Sequence, residues 1–203
     1  MNTAYACAHY RNETRHAILS WKDHNDEECD TIFATALADL AIRCKAITST
    51  TPITLVPAPS SRSSMIHRGR WHMRQVANAT AHSLNTRGYT ATVQPVLRTA
   101  NIAAKSVEVT NATQRNIRIS GNIIVTNPAQ CNNRNIIILD DIITTGATMR
   151  QCIAALNNAG AHVITALALA SVEKPVSEPH EIDEQYENSL TSREIDLLHD
   201  EAM

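Results

Sequence analysis

Two adjacent aspartates and a threonine-rich glycine loop fall together in this 203-residue chain, as IIILDDIITTGAT over residues 136–148. Their types and order suit one kind of ligand. Gly146 lets the backbone approach an oxyanion, and Thr144, Thr145 and Thr148 supply hydroxyls. Ala147 opens a helical stretch whose free N–H groups and positive dipole end would face the same point. That is a cradle for a monophosphate. Asp140 and Asp141 repel a phosphate, so they are expected to face hydroxyls or a cation about one sugar away. A ribose 5-phosphate satisfies both halves. The loop lacks the G-K-[ST] triplet, which excludes a Walker A motif. An isolated D-D pair or T-x-G triplet would be read as a strand end and a turn; the thirteen residues in one frame carry the functional reading.

The elements that must position this loop are read from apolar periodicity. NIIILDD at 135–141 predicts a central parallel strand, since its run of four apolar residues suits burial on both faces and polar residues enter only at its C-terminal end. A helix over 147–159, closed near Gly160, and a strand over 162–170 complete a βαβ unit. Upstream, the spacing predicts helices over 27–46 and 69–86, with strands over 53–59, 91–97 and 122–125. Residues 99–121 are polar and without a period, so they are expected to form a long mobile loop of the kind that closes over ligands. Beyond Ala170, Pro175 and Pro179 break an acidic segment, with a terminal helix expected where Thr191 and Glu194 offer a capping box. The fold class is α/β.

The thirteen-residue stretch resembles, at every position, the binding motif for phosphoribosyl pyrophosphate (PRPP) of type I phosphoribosyltransferases. The segment VPAPSSRSSMIHRGRWHMRQVANATA at 56–81 is similar to a segment of the competence protein F (ComF) family. Tyr10, Arg15 and Lys22 also sit where that family carries a tyrosine, an arginine and a lysine. The resemblance spans about residues 10–170. It implies a parallel sheet flanked by helices with a small hood: a helical or hood segment at 1–50, a PRPP-binding core at 51–171, and an acidic linker with a terminal helix at 172–203. It further implies that Asp140 and Asp141 hold the ribose hydroxyls, that Thr144, Thr145, Gly146, Ala147 and Thr148 hold the 5-phosphate, and that Pro59, Ser60, Ser61, Arg62 and Arg68 face the pyrophosphate. Mg²⁺ would be held through PRPP and the two aspartates. Residues 98–118 resemble the family's flexible loop, with Arg98 matching and Lys105 standing where a glutamine is common. The four-cysteine zinc ribbon of many relatives is absent here.

Composition bounds the rest. Hydrophobic residues make up 43% and aromatic residues 3%, so aliphatic side chains must supply the packing, as in helices on a parallel sheet. Five widely spaced cysteines without a C-x-x-C pair point to reduced thiols, and no apolar run is long enough to span a bilayer, so a cytoplasmic protein without membrane partners is expected. Residues 1–171 hold sixteen bases against ten acids, which invites anionic ligands. Arg62, Arg68, Arg70 and Arg74 cluster in that body as a clamp for pyrophosphate, and His67 and His72 beside them are read as surface residues. The expected activity is Mg²⁺-dependent transfer of a 5-phosphoribosyl group to an unidentified small-molecule acceptor. A PRPP- or nucleotide-sensing regulator without turnover and a DNA-uptake accessory are the alternatives. Nucleic acid ranks low as a partner because few aromatics can stack on bases, and a homodimer is left open.

Overall fold

The alternation of apolar runs and amphipathic stretches becomes a layered α/β fold in the computed structural model, which describes residues 3–23, 26–100, 123–172 and 193–196. In chain order the elements are β1 (Thr3–His9), α1 (Asn12–Asp23), α2 (Glu28–Arg43), β2 (Ile53–Pro57), α3 (Arg62–Arg68), α4 (His72–Thr86), β3 (Ala91–Val93) and β4 (Leu97–Thr99). They continue with β5 (Ile123–Val125), a 3-10 turn (Pro128–Gln130), β6 (Asn135–Ile143), α5 (Ala147–Asn158), β7 (His162–Ser171) and β8 (Arg193–Asp196). The main sheet runs β3-β2-β6-β7-β1-β8. Its first five strands are parallel and β8 lies antiparallel against β1. β4 and β5 pair antiparallel as a separate ribbon.

β6 is central because its residues can be buried on both faces. Ile136, Ile137, Ile138 and Leu139 are each fully buried. Ile137 and Leu139 pack with Leu55, Leu167, Leu169 and the inner faces of α1, α2 and α4. Ile136 and Ile138 pack on the opposite face with Ala4, Ala6, Val56, Met149, Cys152 and Leu156. Thus three helices cover one side of the sheet, and α5 with the β4–β5 ribbon covers the other. All five cysteines are unpaired, and no helix among the described residues is long and apolar enough to cross a membrane.

Two expectations need correction, and a third gains a strand. The terminal helix anticipated from Thr191 and Glu194 is replaced over Arg193–Asp196 by a strand; the open backbone edge of β1 offers ladder partners that a local capping box does not outweigh. The strand expected over 91–97 divides at Pro95 into β3 and β4, because proline lacks the N–H that a continuing ladder needs. Residues 1–50 pack on the core through α1 and α2, and they also insert β1 into the sheet beside β7. The long loop and Lys105 lie outside the described residues.

The topology itself makes a crevice. From β2 the chain crosses over by α4 to β3 on one side, and from β6 by α5 to β7 on the other, with β2 and β6 adjacent. Their helices leave to opposite faces of the sheet. The strand order therefore reverses between β2 and β6, and the carboxyl ends of those two strands flank the position where open α/β sheets bind ligands.

Candidate functional site at the carboxyl ends of β2 and β6

On the β6 side the chain turns sharply into α5 through Gly146, which is buried and has φ 76°. Side chains with a Cβ avoid this left-handed conformation, so glycine serves the turn. Around it Thr144, Thr145, Ala147 and Thr148 are exposed, while Met149 is buried and fixes the first turn of the helix to the core. Gly146 provides no side-chain cap for α5. The Ala147 N–H has only a long contact, 3.4 Å, to the Thr145 hydroxyl. Arg150, to which the sequence reading gave no role, donates from Nη1 to the Thr145 carbonyl at 3.1 Å and steadies the loop from below. An exposed rim of hydroxyls around uncapped N–H groups can accept a phosphoryl group.

The two aspartates are held in different ways. The regular pleat of β6 breaks at them, since Leu139 and Ile142 both pack toward the α1–α2–α4 layer while Ile143 packs toward α5. Asp141 turns to the α1 side and accepts from Lys22 Nζ at 2.7 Å. Asp140 accepts the Asp141 backbone N–H through Oδ1 at 2.8 Å, and its charge reaches the buried thiol of Cys152 on α5. Burial, followed by the neighbouring Asp141 charge, raises the Asp140 carboxyl to about 7, against the smaller lowering effects of the Asp141 N–H and Lys22. The single role expected for both acids thus divides between a lysine-paired Asp141 and an Asp140 that accepts a backbone N–H.

On the β2 side, the Ala58 N–H donates to the Leu139 carbonyl at 2.8 Å and the Ala58 carbonyl accepts from Trp71 Nε1 at 3.2 Å. The loop is thereby pinned beside β6 at one end and to the start of α4 at the other. Pro59 and Ser60 are half-buried and Ser61 is exposed. Ser61 Oγ caps α3 by accepting the Ser64 N–H at 3.1 Å, and Arg62 begins that helix. Arg68 lies 3.9 Å from Asp23.

The other arginines of the expected clamp differ in their surroundings. Arg70 Nη1 donates to Asp30 at 2.7 Å and Arg74 is exposed. Arg98 is exposed on β4, opposite Ile124. His72 is only 4% exposed, which corrects its reading as a surface residue: its ring sits edge-on to Trp21 with centroids 5.0 Å apart. Burial, then Arg70, Arg68 and Lys22, depress its pKa despite Asp30, so the imidazole is held neutral among cations.

A parallel sheet covered by helices on both faces, with its strand order reversing between β2 and β6, defines a doubly wound α/β protein. Residues 75–196 match the family model described as phosphoribosyl transferase domain, and the chain belongs to that family. No curated protein matches the sequence. Similar solved structures include adenine phosphoribosyltransferase from Thermoanaerobacter pseudethanolicus, 14% identical over 73% of this chain and 71% of that one, with a TM-score of 0.40. They also include adenine phosphoribosyl transferase from Trypanosoma brucei in complex with AMP, pyrophosphate and ribose-5-phosphate, 15% identical over 82% of this chain and 76% of that one, TM-score 0.40. Hypoxanthine phosphoribosyl transferase from Trypanosoma cruzi is 11% identical over 90% and 74%, TM-score 0.40.

Proposed function

We propose that this chain binds PRPP at the crevice between β2 and β6 and transfers its 5-phosphoribosyl group to a small-molecule acceptor. The observation that carries the reading is the exposed ring of Thr144, Thr145, Ala147 and Thr148 around left-handed Gly146, one short turn beyond two carboxylates. In this reading the 5-phosphate rests on the α5 N-terminus and the ribose diol faces Asp140 and Asp141. The pyrophosphate extends toward Pro59, Ser60, Ser61, Arg62 and Arg68. The C1–oxygen bond to pyrophosphate breaks while an acceptor lone pair forms the new bond at C1 from the opposite side, and the acceptor gives up its proton. The chain's residues act by positioning and by stabilising separated charge, and no covalent nucleophile is needed.

The residues fit Mg²⁺ only as an ion carried in by the substrate. Among the described residues no group of three or more His, Cys, Asp or Glu side chains could hold a metal, and one oxygen of Asp141 is taken by Lys22. Asp140 would be the protein oxygen ligand left over for it. When bound, the ion supplies neutralisation of the leaving pyrophosphate. The ComF-like character is part of this proposal; most of the segment at 56–81 that supports it lies before the matched residues 75–196.

Pyrophosphate release from PRPP and Mg²⁺, measured against a panel of nucleobases and amines, tests the proposal. Release that depends on one acceptor is the expected result. PRPP binding without release for any acceptor would overturn transfer and assign a sensing role. Absence of PRPP binding would remove both.

A further inference from the structure

Lys22 is a cation fixed on the candidate site by the N-terminal helix. Trp21, fully buried, anchors the end of α1: its Nε1 donates to Asp30 at 2.7 Å, and its ring meets Phe33 and His72 edge-on at 5.1 and 5.0 Å. Lys22 follows it in the last turn of α1, where the helix dipole favours positive charge. Its Nζ lies 2.7 Å from Asp141 Oδ2, with the two side chains only 13% and 23% exposed. Asp23, the next residue, approaches Arg68 at 3.9 Å. The end of α1 thus touches both the acid pair and the arginine beside the β2 loop.

We propose that Lys22 takes the place of a divalent cation at Asp141, so that the ribose end of the ligand is bound without a metal. This rests on the phosphoribosyl reading and assigns the N-terminal helix a positioning residue within that site. A Lys ammonium is a compact point charge with three donors and neutralises one carboxylate without needing an octahedral shell of oxygens. A divalent ion bridging Asp140 and Asp141 would stand a few ångströms from that ammonium and be repelled by it. The two side chains already meet at 2.7 Å, so the pair is held before any ligand arrives.

The assignment is tested with ribose 5-phosphate, which carries no pyrophosphate to bring a metal of its own. Free wild-type protein, Lys22→Arg and Lys22→Met are titrated with Mn²⁺ by electron paramagnetic resonance, and with ribose 5-phosphate by calorimetry in EDTA and in Mn²⁺. Lys22→Met keeps the length of the buried stem; Lys22→Gln is a second neutral variant, and thermal melts identify which variants fold. Wild type and Lys22→Arg are expected to hold Mn²⁺ weakly and to bind the sugar phosphate equally with and without metal. The neutral variants gain Mn²⁺ affinity by about tenfold or more, a change of about 1.4 kcal/mol, and their sugar-phosphate binding becomes metal-dependent. Equal Mn²⁺ affinity in wild type and the neutral variants would overturn the assignment. Gain of Mn²⁺ binding with no ribose 5-phosphate binding by wild type would support the Lys22 role and sink the phosphoribosyl reading instead.

Discussion

Gly146→Val is expected to leave a folded protein that has lost most of its affinity for ribose 5-phosphate. Gly146 has φ 76° at the entrance to α5, a conformation that costs an ordinary residue about 1–2 kcal/mol and a β-branched one more. The loop must either bear that strain or abandon the turn. If it abandons the turn, the Thr145 carbonyl leaves Arg150, and the N–H groups of the first helical turn no longer converge on one point. The expected loss in affinity is ~30-fold or more, corresponding to about 2 kcal/mol. Gly88→Val is the matched control. Gly88 also has positive φ, 85°, with nothing within 4 Å of an added Cβ, but it lies between α4 and β3, at the amino-terminal edge of the sheet. Its strain should lower stability and leave ligand affinity alone. Calorimetry on both variants decides the matter: equal affinity in Gly146→Val and wild type would show that this turn does not hold the phosphate.

Asp140→Asn is expected to stabilise the free protein above neutral pH, by about 2–4 kcal/mol. The carboxyl is raised from an ordinary 3.8 to about 7 by burial and by the Asp141 charge. Below pH ~3 the group is protonated in both folded and unfolded chains and contributes nothing. As pH rises from about 4 to about 7 the unfolded chain ionises first, so the folded state loses ground, and the full penalty is present above about 7. Asparagine has no charge to bury and retains an oxygen to accept the Asp141 N–H. The midpoint of thermal unfolding should therefore coincide for the two proteins at pH ~3 and diverge by pH ~8, with the variant higher. A variant no more stable than wild type at pH 8 would contradict this account of the buried acid. Such a cost suits a residue kept for ligand binding rather than for the fold.

Much of this was legible in the chain. The run Ile136-Ile137-Ile138-Leu139 announced a strand covered on both faces, and the predicted helix over 147–159 agrees with α5 to within a residue. Gly146 was identifiable as the turn because the residues around it set a strand before it and a helix after it. Other features depend on partners distant in sequence. β1 has Ala4 and Ala6 on one face, too small to give an apolar period, and it is a strand because β7 supplies its ladder. Arg193–Asp196 carries a local helix-capping signal that pairing with β1 overrides. His72 is buried because Trp21 from α1 reaches its ring. Lys22 is brought to Asp141 by the packing of α1 on the sheet, and no spacing rule connects the two positions. Arg70 stands in a basic run, and the fold brings its Nη1 onto Asp30, forty residues earlier in α2.

The central claim is that a sugar phosphate rests where β6 passes into α5, with its hydroxyls toward Asp140 and Asp141. Isothermal titration of PRPP with Mg²⁺ into wild type and into the double variant Asp140→Asn/Asp141→Asn measures it most directly. The account predicts a saturable heat for wild type that is lost in a double variant whose melting curve still shows a folded protein. Equal heats for the two, whether both substantial or both negligible, would contradict it.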